Sequence, residues 1–246
     1  MENLPLYVSI ILVFTTYLTV FIFYKAANYS KPALGIILIW LIAQSILGLR
    51  GFYKVTDTLP PRFFMLIAPP LLFIAVLFFT ASGKRFIDNL NAKYLTLLHT
   101  IRILVELVLF WLFVHKAVPQ IMTFEGRNFD IISGLTAPII FYFGFIKKTL
   151  SNKILLLWNF ICLGLLFNIV TIAILSAPFS FQKLAFDQPN IAVLYFPFIW
   201  LPCCIVPVVL FSHLATVRQL LFTVRKTTAS RVSKGDHTPC SSQNRT

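Results

Sequence analysis

Three ionisable side chains interrupt an apolar run that is long enough to cross a bilayer. His99, Arg102 and Glu106 lie within residues 94–114, and at about 100° per residue they share one face of a helix. Charged groups at membrane depth are costly, so they normally face a protein interior or a wet cavity. A line of imidazole, guanidinium and carboxylate groups is typical of a proton or anion pathway.

The spacing of the two charged residues has two interpretations. Arg102 and Glu106 are four residues apart, so they can form an ion pair along the helix, although Arg before Glu is the less favoured order. Such a pair can be purely structural, because it neutralises two charges that the membrane would otherwise oppose. Alternatively, Arg102 anchors a charged solute while Glu106 and His99 respond to protons. The sequence leaves both interpretations open.

A second candidate site lies in the segment that follows this apolar run. Residues 115–130 carry charges of both signs around Gly126, and such loops often form turns or lids. If this loop folds over the bundle, it lines an outer vestibule with charged residues from the loop after the second apolar run. The candidate vestibule residues are Arg50, Asp57, Arg62, Glu125, Arg127 and Asp130. The sequence favours the alternative, a solvated loop with weak local salt bridges.

Composition indicates which elements must position these side chains. The chain is 58% hydrophobic and 12% charged, whereas soluble domains are about 25% charged. Seven apolar runs approach the length that a bilayer requires, which predicts an all-α, polytopic membrane helix bundle with seven transmembrane helices. They are residues 4–24, 32–49, 63–81, 94–114, 129–146, 154–175 and 191–214. The fifth is the weakest because it is short and contains Asp130 and Pro138, so the alternative is six spans plus a re-entrant segment.

Lys and Arg residues are distributed unequally between the two sides of this arrangement. Fourteen fall on one side, six on the other, and Arg102 lies within a span. The six are Arg50, Lys54, Arg62, Lys116, Arg127 and Lys183. Because cytoplasmic loops retain basic residues, we expect an external N-terminus and a cytoplasmic C-terminus in an inner or plasma membrane. The net charge of +13 then reflects loops that face anionic membrane lipids and does not indicate nucleic-acid binding.

The chain divides into a bundle and a tail. Residues 1–224 form the predicted transmembrane helix bundle, and residues 225–246 are too polar to bury a core. We expect a disordered basic cytoplasmic tail, which is a candidate binding segment for a cytoplasmic protein.

Motifs of several enzyme classes are missing from the sequence. It contains no Gly-rich phosphate loop, no zinc-binding His-Glu-x-x-His and no Gly-x-Ser-x-Gly nucleophile elbow. His99, His115 and His213 are the candidate haem or metal ligands, but His115 is expected near the outer surface and His213 near the inner one. No bis-histidine pair is therefore predicted, and neither a metal nor another cofactor is expected. The pattern favours a protein that is not an enzyme.

Three functional hypotheses follow in order. The first is binding or movement of a small anionic or protonatable solute at His99, Arg102 and Glu106. The second is a non-catalytic membrane scaffold or interaction protein, and the third is an embedded enzyme that acts on a lipid-like substrate.

Overall fold

The described residues form helices joined by loops, and they contain no β-strand. The computed structural model describes residues 4–58 and 60–235, with side chains up to residue 222. The α-helices are α1 (Leu6–Ala26), α2 (Lys31–Leu49), α3 (Phe64–Phe79), α4 (Ala81–Asp88), α5 (Ala92–Leu98), α6 (Arg102–Val114), α7 (Ile131–Phe141), α8 (Asn152–Leu175) and α9 (Val206–Gly235). Short 3₁₀ turns lie at Phe52–Lys54, His99–Ile101, Gln120–Met122 and Ala192–Leu194, and π-helical turns at Tyr142–Ile146 and Leu201–Ile205.

Five helical segments are long and apolar enough to cross a membrane. They are Leu6–Ala26, Lys31–Leu49, Ala92–Val114, Asn152–Leu175 and Leu201–Phe222. A sixth results if α3 and α4 count as one broken span, because the two helices meet at 91°. In α4, Lys84 and Arg85 are exposed while Ile87 is buried, which is typical of a helix that lies along a membrane surface.

Contacts between connecting segments define one end of the bundle. The Nδ2 of Asn28, between α1 and α2, donates to the backbone oxygen of Asn89, which follows α4, at 2.7 Å. Arg218 in α9 pairs with Asp88 at 2.9 Å. The connections at 27–30 and 89–91 and this part of α9 therefore meet, and we call this place the basic end.

The opposite end is formed by the longer connections, and we call it the loop end. The backbone nitrogen of Ile191 donates to the oxygen of Ala117 at 3.0 Å, which joins the segment after α8 to the segment after α6. The Nζ of Lys54 lies 4.7 Å from the ring centre of Tyr195. The connections 50–63, 115–130 and 176–200 therefore lie together.

The weak fifth apolar run has an unusual structure. Its α-helix, Ile131–Phe141, has only 11 residues. Just before that helix, Asp130 reaches Arg102, which lies near the middle of the segment Ala92–Val114. Residues 115–130 thus descend from the loop end to the centre of the bundle without forming a long helix. Irregular backbone at such depth is tolerated when protein surrounds it.

The final long helix begins later than the last apolar run does. Residues 191–200 form a short turn and loop, and the helical segment starts at Leu201. Pro197 and Pro202 account for this start, because proline lacks an N–H donor and disfavours the interior of a helix. At the other end, α9 continues to Gly235, so it includes residues 225–235 of the predicted tail. The remaining part, 236–246, lies outside the described residues.

Candidate functional site

A buried ion pair lies at the centre of the candidate site. The Nη1 of Arg102 is 3.0 Å from Oδ1 of Asp130, and the two residues are 2% and 6% exposed. The same nitrogen donates to the backbone oxygen of Cys162 in α8 at 3.4 Å. Arg102 therefore connects α6 with the start of α7 and with the middle of α8.

The expected pairing of Arg102 with Glu106 is wrong. The guanidinium pairs with Asp130 instead, while Oε1 of Glu106 accepts a hydrogen bond from Nδ2 of Asn128 at 2.6 Å. The backbone immediately before α7 brings both partners to α6. Tertiary partners are favoured here because the Arg-before-Glu order along a helix is weak, and a carboxylate and an amide are already in reach.

Local hydrogen bonds fix the segment that carries these partners. The backbone nitrogen of Asp130 donates to Oδ1 of Asn128 at 3.0 Å, and the Nδ2 of Asn128 also donates to the oxygen of Met122 at 3.0 Å. One turn into α7, Gly134 contacts the chain at Ile103 so closely that a Cβ atom would lie 2.9 Å from the backbone nitrogen of that residue. A small residue at a helix crossing permits such close approach, which places Asp130 on Arg102.

Two histidines stack beside this ion pair. The rings of His99 and His213 are 3.7 Å apart and nearly parallel at 12°, and both residues are fully buried. The Nδ1 of His213 lies 2.9 Å from Oδ1 of Asn159, and the Trp158 ring lies 5.7 Å from the His99 ring. The expectation that no two histidines lie side by side is wrong. The final helical segment extends from Leu201 to Phe222, so His213 lies near its middle and not at its inner end.

The charged side chains line a cavity of about 190 Å³. Arg102, Glu106 and Asp130 contribute to its wall, which otherwise consists mainly of apolar side chains such as Leu109 and Leu166. Several buried polar atoms near it have no hydrogen-bond partner among the described residues. They are Nε and Nη2 of Arg102, Oε2 of Glu106, both ring nitrogens of His99 and Nε2 of His213. Groups of this kind are costly to bury, so the cavity combines apolar walls with unsatisfied polar groups.

The candidate outer vestibule is only partly assembled. Arg50, Asp57, Glu125 and Arg127 are exposed in connections of the loop end, where no ion pair joins these described side chains. Asp130 does not lie with them. Its assignment to the vestibule is wrong, because the descending loop carries it to Arg102 in the centre of the bundle.

The remaining candidate vestibule residue, Arg62, contacts Phe52 in its own connection. It donates to the backbone oxygen of Phe52 at 3.3 Å and lies 4.7 Å from the centre of the Phe52 ring. Nearby, the hydroxyl of Tyr53 donates to Oε1 of Gln44. Burial raises the pKa of Tyr53 to about 12, so this phenol remains a hydrogen-bond donor at neutral pH.

The described side chains do not assemble a metal-binding site. Within the described ranges, no group of three or more His, Cys, Asp or Glu residues is placed to hold an ion. Cys162, Cys203 and Cys204 are free and buried.

Sequence reasoning did not identify Asn128 or His213 as site residues. Asn128 was unremarkable within a loop, and its role depends on the descent of that loop into the bundle. Asn128 and Asp130 together gave a usable signal for the site. Both lie at the start of an apolar run, and therefore close to a predicted membrane span.

Comparison with known proteins places the site within one family. No curated protein and no solved structure matches the chain. One family model matches residues 63–221, a range that contains His99, Arg102, Glu106, Asn128, Asp130 and His213. The chain therefore belongs to the family described as Domain of unknown function (DUF8737).

Proposed function

We propose that this chain is a membrane protein that binds or moves a small protonatable solute, with Glu106 as the group that exchanges a proton. One observation carries the proposal. Glu106 is 1% exposed, it lines the cavity of about 190 Å³, and its Oε2 has no hydrogen-bond partner among the described residues. Because an unsatisfied buried carboxylate is costly, a proton or a polar solute that reaches this oxygen offsets the cost.

The charges around the cavity favour a protonatable solute over a strictly anionic one. Arg102 is already paired with Asp130 at 3.0 Å, and Glu106 adds a second carboxylate to the same wall. Two carboxylates to one guanidinium repel an anion and attract a proton or a small cation. The role first expected for Arg102, that of an anion anchor, is thus the less favoured one, and Arg102 instead holds Asp130 in place.

The stacked histidines extend the proposal toward the basic end. His99 precedes Arg102 on the side of α6 that leads to α5, and its ring stacks on His213. An imidazole carries one nitrogen that donates and one that accepts a hydrogen bond when it is neutral, and nitrogen atoms of both rings are unpartnered among the described residues. We therefore include His99 and His213 in the proposed path between Glu106 and the basic end.

We also propose seven crossings, with the N-terminus outside and the C-terminus in the cytoplasm. Support comes from the grouping of connections into two ends and from the uneven distribution of Lys and Arg in the sequence, where fourteen fall in segments that we assign to the cytoplasm. The fifth crossing consists of the descending loop and the short α7, which explains why its helix alone is shorter than a bilayer requires.

Proton movement in reconstituted vesicles tests the proposed function. Full-length protein is placed in liposomes that contain a pH-sensitive dye, and the pH of the lumen is followed after an external pH step or addition of methylammonium, a small protonatable amine. We expect Glu106→Gln to slow the response by about tenfold or more, since a positioned proton-transfer group contributes at least that much. The amide keeps the shape of Glu106 and can still accept from Asn128.

The matched control is Asp187→Asn, because Asp187 is an exposed loop carboxylate outside the candidate site and its loss should leave the response unchanged. If wild-type vesicles respond no faster than empty liposomes to either probe, the solute proposal is wrong. That result would favour the scaffold hypothesis.

A further inference from the structure

A second cavity opens between two helices that follow each other in the chain. α2 and α3 make few direct contacts, and a groove of about 460 Å³ separates them. Its walls include Trp40 from α2 and Phe73 from α3, and its floor includes Cys204 and Pro207 from the final helical segment. We call it the α2–α3 groove.

The groove follows only the half of α2 that is nearer the basic end. Its α2 wall extends from Ser30 to Trp40. At that point the Nε1 of Trp40 donates to the oxygen of Cys203 at 2.9 Å, and further along, Trp200 donates to Ser45 at 3.1 Å. These bonds hold the loop-end half of α2 against the final helical segment. The groove therefore opens toward the basic end.

The walls of the groove suit a hydrocarbon chain. Almost every wall residue is apolar, and the prolines Pro69 and Pro70 of α3 contribute to it. Protein interiors are normally packed without large voids, and apolar surface at membrane depth is covered by lipid tails. An acyl chain that enters from the membrane would fill this space.

Three cations without protein partners flank the mouth of the groove. Lys31 follows Ser30, and Lys84 and Arg85 precede Phe86, while Ser30 and Phe86 line the groove itself. All three cations are exposed, and none of their side chains forms an ion pair, hydrogen bond or ring contact with another described residue.

The single acidic residue of α4 does not neutralise them. Asp88 is the only Asp or Glu in residues 58–105, and Arg218 occupies both of its oxygens at 2.9 and 3.1 Å. Within residues 4–58 and 60–235, the mouth of the groove therefore carries positive charge that no acidic side chain compensates. Basic pockets between membrane helices bind the headgroups of anionic lipids.

We propose that the α2–α3 groove binds an anionic phospholipid, with one acyl chain between α2 and α3 and the phosphate headgroup held by Lys31, Lys84 and Arg85. This site is separate from the Glu106 cavity and does not depend on the proposed solute function. Under the proposed topology the lipid belongs to the cytoplasmic leaflet, where anionic lipids are enriched.

Lipid binding by the purified full-length protein tests the headgroup contacts. Phosphatidylglycerol and phosphatidylcholine with identical acyl chains are titrated in detergent, and bound lipid is counted by native mass spectrometry. We expect phosphatidylglycerol to bind about tenfold or more tightly, and the combined Lys31→Gln, Lys84→Gln and Arg85→Gln variant to lose this preference. The matched control is Lys147→Gln, Lys148→Gln and Lys153→Gln, which removes the same charge from exposed positions between α7 and the first turn of α8.

Filling the groove tests the acyl-chain contact separately. Ala33→Trp places a large ring at a position that lines the groove, whereas Ile39→Trp places it on α2 at a position that is 70% exposed. We expect the first variant to lose bound phosphatidylglycerol and the second to retain it. Glycerol 3-phosphate, which has the phosphate but no acyl chains, should not compete.

The outcomes separate the proposal from its alternatives. Equal binding of both lipids by wild-type protein overturns it, as does retention of the lipid preference when the three mouth cations are replaced. Retained binding in the folded Ala33→Trp variant would place the lipid elsewhere on the surface. Competition by glycerol 3-phosphate would show a headgroup site without the groove. Vesicle proton movement by Glu106 is measured independently, so failure of one proposal leaves the other intact.

Discussion

Loss of either partner of the Arg102–Asp130 pair should destabilise the protein strongly, and loss of both should not. Arg102→Leu strands the carboxylate of Asp130, and Asp130→Leu strands the guanidinium, in surroundings where both residues are almost fully buried. Breaking such a pair costs about 3–5 kcal/mol, whereas an apolar replacement of both partners is often neutral. The free energy of unfolding in detergent, measured for both single variants and the double variant, gives the coupling.

Two further comparisons test whether the coupling is specific to Arg102 and Asp130. Arg102→Leu combined with Glu106→Gln should not recover, because Asp130 still lacks its partner. The corresponding variants Arg218→Leu and Asp88→Leu should cost roughly 0–1 kcal/mol, because that pair is partly exposed at 2.9 Å. A double Arg102 and Asp130 variant that is as unstable as the sum of its single changes would contradict the closed pair.

The second large effect is expected at Asn128. Asn128→Asp removes the amide that donates to Glu106 at 2.6 Å and to the Met122 oxygen at 3.0 Å, and it places a carboxylate directly against another one. The lost hydrogen bond to a charged group costs roughly 1.5–3 kcal/mol, and repulsion between like charges adds to that. We expect a large decrease in the free energy of unfolding.

Reversing the two side chains should restore much of this stability. With Asn128→Asp and Glu106→Gln together, the amide donates from position 106 and the carboxylate accepts at position 128, so the bond returns in the opposite direction. Asn168→Asp is the matched control, since Asn168 is an exposed residue that also donates its amide, to the Arg127 oxygen at 2.8 Å. If the double variant is no more stable than Asn128→Asp alone, the direct contact is not what stabilises this part of the fold.

Most of the fold could be predicted from the sequence because hydrophobic length is a strong signal. Apolar runs near 20 residues correspond to α1, α2, α5 with α6, α8 and the final helix. The boundaries of the final helix could not be predicted, because a run of apolar residues does not distinguish loop from helix. Pro197 and Pro202 delay the start of this helix until Leu201.

The candidate site was predictable only as a set of helix positions. The shared face of His99, Arg102 and Glu106 follows from helical spacing, and all three are buried in the structure. Their partners Asn128, Asp130 and His213 come from other segments. Their approach depends on the descent of a loop and on the start of the final helical segment at Leu201. No local pattern encodes such contacts, because they arise from packing between segments far apart in the chain.

Water access to the Glu106 cavity decides whether protons can reach this carboxyl group. In a background in which Cys162, Cys203, Cys204 and Cys240 are replaced, a single cysteine is introduced at Leu109, which lines the cavity one turn beyond Glu106. The matched position is Leu157, which is 61% exposed on a different helix and which we expect to face lipid. Both variants are treated in membranes with a water-soluble thiol reagent and then with a lipid-soluble one.

A path for a protonatable solute must admit water. We therefore expect Leu109→Cys to react with the water-soluble reagent, although Leu109 is only 5% exposed, and Leu157→Cys to react only with the lipid-soluble reagent. If Leu109→Cys reacts with the water-soluble reagent no faster than Leu157→Cys, the cavity is dry, and the proposal that Glu106 exchanges protons with a solute there is contradicted.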